Sequence, residues 1–254
     1  MEDEQIYIIC IIIVVSIIAW YCYNPKKDIF QYSLMVHLEN DKVSEERIKK
    51  VKQIYDEYDL PMNLMKATHW KNDIDELKMY PIDKSSYEFV NRPGAYGLAG
   101  SLYKSLKKAH EEDWPHLLFL EDDSIPILPK SEFYDKFHQI ITTLPDNGNG
   151  IYILGTTIYC QDMKSVKRGW VKKEDINIGI AGGHAILFSK QSISTIMNLL
   201  KHNKINRAID NYIHNMKHTW FWIGDISKNG MFCGLYEQID TNCNYRINTM
   251  PLQT

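Results

Sequence analysis

Leu117-Leu118-Phe119-Leu120-Glu121-Asp122-Asp123 is the stretch that decides the fold. An unbroken apolar run of this length suits a central strand buried on both faces, as in parallel sheets. Adjacent carboxylates at the end of such a strand repel one another and are costly unless something cationic meets them. In open α/β sheets the carboxyl ends of the strands are where ligands bind. A hard divalent cation with oxygen ligands, Mn2+ or Mg2+, is therefore the expected partner. Side chains alternate along a strand, so Glu121 and Asp123 are expected to share one side and hold the metal. Asp122 then faces elsewhere, to hold a loop or a ribose. The plain alternative is a solvated acidic turn ahead of Pro126.

Working outward, residues 33–38 and 63–67 read as short strands around a helix over 44–58, with Ser44 as its cap and Ile48, Val51, Ile54 and Tyr55 on its buried face. This β-α-β opening predicts a parallel sheet. Residues 68–93, broken by Pro81 and Pro93, read as loop with short helical pieces. Helices are expected over 98–112, 131–144, 192–200 and 205–216, and strands over 151–154 and 185–188. The basic stretch 160–178 reads as a loop whose charges are ordinarily a solvated face; the alternative is a loop that closes over a diphosphate with Trp170 stacking on a sugar. No internal repeat or second composition regime divides residues 33–254, so they form one expected domain.

The chain of 254 residues carries 29 basic and 32 acidic side chains, a formal net charge of −3. That balance gives no basic excess, so no nucleic-acid partner is expected. Five cysteines without a CxxC pair argue against a zinc knuckle or a thioredoxin-type site, and the odd number in the soluble part argues against a disulfide framework. Residues 6–23 are uncharged, and Trp20, Tyr21 and Tyr23 crowd their downstream end. A stretch of this length reads as a single membrane-spanning anchor rather than a cleaved signal, since acids precede it and large aromatics occupy the cleavage position. The expected organisation is an anchor over 1–24, a stem over 25–32 and a catalytic domain over 33–254. Lys26 and Lys27 after the span favour a cytosolic domain by the positive-inside rule.

The order of these motifs resembles glycosyltransferase family 25, which includes lipooligosaccharide and collagen sugar transferases. Residues 34–51 (LMVHLENDKVSEERIKKV) look like that family's first strand and helix, with His37-Leu38-Glu39 where Asn-Leu-Asp is usual. Gly94, Gly97 and Ser101 match its glycine segment, while Ala95, Leu98 and Leu102 depart from it. The acidic strand end matches well; residues 183–189 and 208–212 resemble later segments, and 234–238 do so faintly. The resemblance implies a GT-A-like α/β fold, a mostly parallel sheet flanked by helices. It implies a nucleoside-diphosphate sugar donor, Mn2+ or a similar ion, and transfer of a hexose to a glycan or protein hydroxyl with inversion. Gly94, Gly97, Ser101, Asp122 and His184 are the expected donor-binding residues.

Inversion needs a base for the acceptor hydroxyl, and Asp210 is the candidate, with Asp225 and Glu237 in reserve. The alternatives stay open: Asp210 as a helix-start stabiliser, Gly94 and Gly97 as a plain turn, Ser101 as a packed hydroxyl, His184 as a structural histidine. An inactive relative that binds a glycan or a partner is the competing function. A metal-dependent phosphoryl-transfer enzyme should show GxxxxGK[ST], which the sequence lacks.

Overall fold

The computed structural model describes residues 11–13, 29–159, 168–175, 179–226 and 232–239. The anchor expected at 6–23 lies outside the described residues apart from 11–13, which are helical and exposed. Among the described residues no helix is long and apolar enough to cross a membrane.

The first unit is β1 (Ser33–His37), α1 (Lys42–Glu57) and β2 (Leu64–Lys66), and it closes as the sequence predicts. β1 lies between β2 and β3 (His116–Glu121), parallel to both. The parallel arrangement holds for this half of the sheet. β7 (Gly179–Ser189) joins β3 antiparallel, and β5 (Ile151–Tyr159) pairs antiparallel with β7. Beyond β5 come β8 (Thr219–Ile223), parallel to its first half, and β10 (Phe232–Gly234), antiparallel to its second half. β6 (Gly169–Val171) and β9 (Asp225–Ile226) complete a mixed sheet of nine strands among the described residues. A separate pair, β4 (Ser124–Pro126) with β11 (Tyr236–Gln238), stands just past the acidic end of β3.

Alternation along β3 divides the core. Leu117 and Phe119 join one apolar cluster with α4 (Pro93–Glu111), α6 (Lys190–Leu199) and α7 (Ile209–His214). Leu118 and Leu120 join the other with α1 and α5 (Lys130–Thr142). Short helices α2 (Ile74–Lys78) and α3 (Tyr87–Asn91) lie in the stretch read as loop with helical pieces.

Several boundaries differ from expectation, each for a local reason. α1 is capped by Asp41, whose Oδ1 accepts the Ser44 N–H at 2.9 Å, so Ser44 lies in the first turn rather than at the cap. α4 begins at Pro93, five residues earlier than read, because proline's fixed φ suits the first helical position. α7 is shorter than 205–216, because Ile205 bridges to Ile82 and donates its N–H to the Pro81 carbonyl at 2.9 Å. Trp170 is no free sugar platform: it packs edge-on between Tyr152 and Trp222, with both centroids at 5.4 Å. Lys164 and Lys167 of the same basic stretch lie outside the described residues.

Candidate functional site

The carboxyl ends of β2, β1 and β3 open together into a cavity of about 320 Å³. Its wall includes Glu121 and Asp122 from the acidic run, Gly94, Gly97 and Ser101 from α4, and Ser44 and Arg47 from α1. Residues read separately from two distant motifs thus meet in one space. Asp123, His184 and Asp210 do not line it.

β3 ends at Glu121, and Asp122 and Asp123 lie in the turn beyond it, so the turn rather than strand alternation sets their directions. Asp122 turns toward α1, accepting the Ser44 hydroxyl and an Arg47 Nη1 hydrogen bond at 2.8 Å. Glu121 and Asp123 share the side-chain amide of Gln238, whose Nε2 lies 3.2 Å from Glu121 Oε2 and 3.4 Å from Asp123 Oδ1. Arg47 also reaches Asp123 at 3.8 Å. Burial alone would lower the pKa of the Arg47 guanidinium. The hydrogen bond and charge of Asp122, joined by the charges of Asp123 and Glu121, nonetheless carry it above its ordinary value. The cation that the sequence demands at this strand end is in part an internal guanidinium.

Ser44 is the hub on the α1 side. Its one proton goes to Asp122, so its oxygen accepts from Leu38 N–H at 3.1 Å and from His37 Nδ1 at 3.0 Å. That network assigns the His37 proton to Nδ1. A histidine that donates to a serine cannot serve as its base, so this Ser, His and Asp grouping is a positioning chain and not a nucleophilic triad.

The α4 residues are held by backbone. A Cβ on Gly97 would stand 2.5 Å from the Thr68 carbonyl oxygen, so only glycine lets α4 dock on the segment after β2. Ser101 is fully buried; its Oγ accepts the Thr68 N–H at 2.8 Å and donates to the Gly97 carbonyl at 3.0 Å. Both residues therefore shape the cavity by fixing that segment. Gly94 has open space around the Cβ position.

His184 is fully buried opposite the end of β3, with Nε2 3.2 Å from Thr157 Oγ1 and its carbonyl accepting Ser124 Oγ at 2.5 Å. Asp210 sits in the first turn of α7 and accepts the Gly182 N–H at 3.3 Å. Gly182 adopts φ +75°, a left-handed backbone that glycine tolerates, and Asp210 helps fix it. One turn along, His214 is held neutral: burial drives its pKa down to about 4, against the opposing charge of Asp210. Glu237 lies on β11, and Asp225 on β9.

Glu121 Oε2 and Asp123 Oδ1 converge on the one Gln238 amide, and a pair of carboxylates is a donor set of the kind that takes Mg2+-type ions together with phosphate and water. Among the described residues no three His, Cys, Asp or Glu side chains form a complete protein cluster. The residues missed from sequence are Arg47 and Gln238, whose partners lie 75 and 117 positions away, and the His69–Trp70 pair on the cavity wall.

No family model matches this chain, and no curated protein matches it in sequence. Solved structures give distant likenesses. A mannose-1-phosphate geranyltransferase from Thermus thermophilus matches at TM-score 0.39 and 10% identity, over 76% of this chain and 73% of that one. A Bacillus anthracis protein described as a glucose-1-phosphate thymidylyltransferase, in complex with a sucrose, matches at 0.41 and 10%, over 85% and 92%. Mouse xyloside xylosyltransferase 1 matches at 0.31 and 12%, over 72% and 80%. At these scores and identities the likenesses fix neither family nor activity.

Proposed function

We propose that this protein is a glycosyltransferase that takes a sugar from a nucleoside-diphosphate donor bound in the cavity at the ends of β1, β2 and β3. The observation that carries the reading is the meeting there of Glu121 and Asp122 with Gly94, Gly97 and Ser101, at the sheet edge where α/β folds bind ligands. Glu121 on the cavity wall, with Asp123 set behind it on the shared Gln238 amide, would hold Mn2+ or Mg2+, which when bound would neutralise charge on the leaving diphosphate. Arg47 lines the same cavity and offers further N–H donors to an anionic ligand. Asp122 positions Arg47 and the start of α1. Asp210 lies outside this cavity against Gly182, and it is the carboxylate we assign to an acceptor hydroxyl brought in from that side. The group transferred is a hexose, and the acceptor is a glycan or a protein. In this reading residues 6–23 anchor the chain in a membrane.

The test is a thermal-shift screen of nucleotide sugars with and without Mn2+, followed by donor hydrolysis. Binding to the folded state raises the melting temperature. A metal-dependent rise with one donor is the expected result, and no rise with any donor would overturn the reading. Binding without hydrolysis or transfer would instead favour a non-catalytic, glycan-binding relative.

A further inference from the structure

The cavity is chemically two-ended. At the β3 end lie Glu121, Asp122 and Arg47. Past β2 the wall holds Ala67, Thr68, His69 and Trp70, with Leu98 from α4 and Asp41 and Val43 from the start of α1. Two of these are wet, with Trp70 41% and Val43 64% exposed. Trp70 is also held in place. Its ring stacks on His69 at 6.0 Å and 20°, and His69 is pinned in turn. The His69 Nδ1 accepts N–H groups from Lys71 and Asn72, both at 3.1 Å, while the His69 backbone N–H donates to Asp73 at 2.7 Å. His69 packs against one face of Trp70, and the 41% of the residue that stays exposed is surface a ligand can use.

We propose that Trp70 is the stacking platform for the nucleobase of the donor, with Val43 closing the slot from the α1 side. This rests on the donor reading above. Strands lie about 4.8 Å apart, so the ends of β2 and β3 are separated by roughly 10 Å across β1. A diphosphate at the acidic end thus leaves the base, through its ribose, at the Trp70 end. The flat face of a base needs no hydrogen-bond partner and suits the exposed ring of Trp70 beside Val43, Leu98 and Ala67, while Asp41 and Thr68 on the same wall are left for ribose hydroxyls. Base-on-aromatic stacking is tolerant of base identity, so the platform sets affinity more than choice among bases.

Isothermal titration of the full chain in Mn2+ with UDP, ADP, GDP, UDP-glucose and inorganic pyrophosphate tests this, comparing wild type with Trp70→Ala and Trp70→Phe. The expected result is a loss of about tenfold to a hundredfold in nucleoside-diphosphate affinity for Trp70→Ala. Trp70→Phe should stay near wild type, and pyrophosphate should bind all three alike. Equal losses for pyrophosphate would make Trp70 merely structural, and no loss for any ligand would place the base elsewhere. A loss confined to UDP-glucose would give the platform to the sugar. Each of these overturns the proposal alone, whereas a wild-type protein that binds neither pyrophosphate nor any nucleotide overturns the donor reading itself.

Discussion

Replacing Arg47 by Met keeps the apolar stem of the side chain and removes only the guanidinium. The charge lost stands 2.8 Å from Asp122 and 3.8 Å from Asp123. At an effective dielectric of about 20 those separations correspond to roughly 6 and 4 kcal/mol of gross attraction. Most of this is offset, because bringing each ion out of water costs several kcal/mol. The Arg47 side chain is 29% exposed and that of Asp122 13%, which puts the pair between surface and interior. A net loss of about 2 kcal/mol follows, larger than for an exposed pair and smaller than for a fully buried one. For a domain of this size that lowers the melting temperature by about 4–8 °C. The assay is urea unfolding of wild type, Arg47→Met, Asp122→Asn and the double variant, which isolates the coupling between the two side chains. Coupling near zero, or an Arg47→Met protein within about 0.5 kcal/mol of wild type, would refute the idea that Arg47 is the cation offsetting the acidic run.

Glu121→Gln and Asp123→Asn should abolish Mn2+-dependent donor binding and leave the fold intact; retained activity in both would remove these carboxylates from the mechanism. Asp210→Asn should lower kcat by roughly 10²–10⁴-fold with KM for the donor little changed, and a fall in melting temperature without a kcat effect would leave Asp210 as only the partner of Gly182. Acid should weaken the fold through His214. Its folded pKa of about 4 lies below the unfolded value near 6.5, so the unfolded chain binds more protons between the two. Stability from this group is therefore complete above pH 6.5 and falls by up to about 3 kcal/mol toward pH 4, and unfolding midpoints of wild type and His214→Gln across that window check it.

What is legible in the sequence is local. β1, α1, β3, α5 and α6 carry their apolar period within one stretch, and the structure has them within a few residues of the expected ends. β8 buries Thr219, Phe221 and Ile223 and leaves both its tryptophans half-buried, a clear strand period that polar neighbours on either side obscure. The antiparallel entry of β7 beside β3 leaves no local mark, because it depends on pairing Leu120 with Ala185 across the fold. The site divides in the same way. The carboxylates announce themselves as a run, but Arg47 and Gln238 are ordinary residues until the fold brings them to Asp122 and Glu121. Gly97 is legible as a glycine with a purpose; that its purpose is contact with the Thr68 carbonyl is a tertiary fact.

The clasp between Gln238 and the acidic run has a consequence in the order of synthesis. Gln238 lies 115 residues downstream of Asp123. At 5–20 residues per second the ribosome makes Gln238 about 6–23 s after Asp123. Throughout that interval Ser44 and Arg47 are already present for Asp122, while the amide that Glu121 and Asp123 share does not yet exist. Once β3 and Asp122 have cleared the ribosome, the chain holds every residue that the Arg47–Asp122 pair needs. That chain cannot close β4 against β11, so the Gln238 clasp waits for the end of translation while the cavity wall, drawn from residues 36–122, does not.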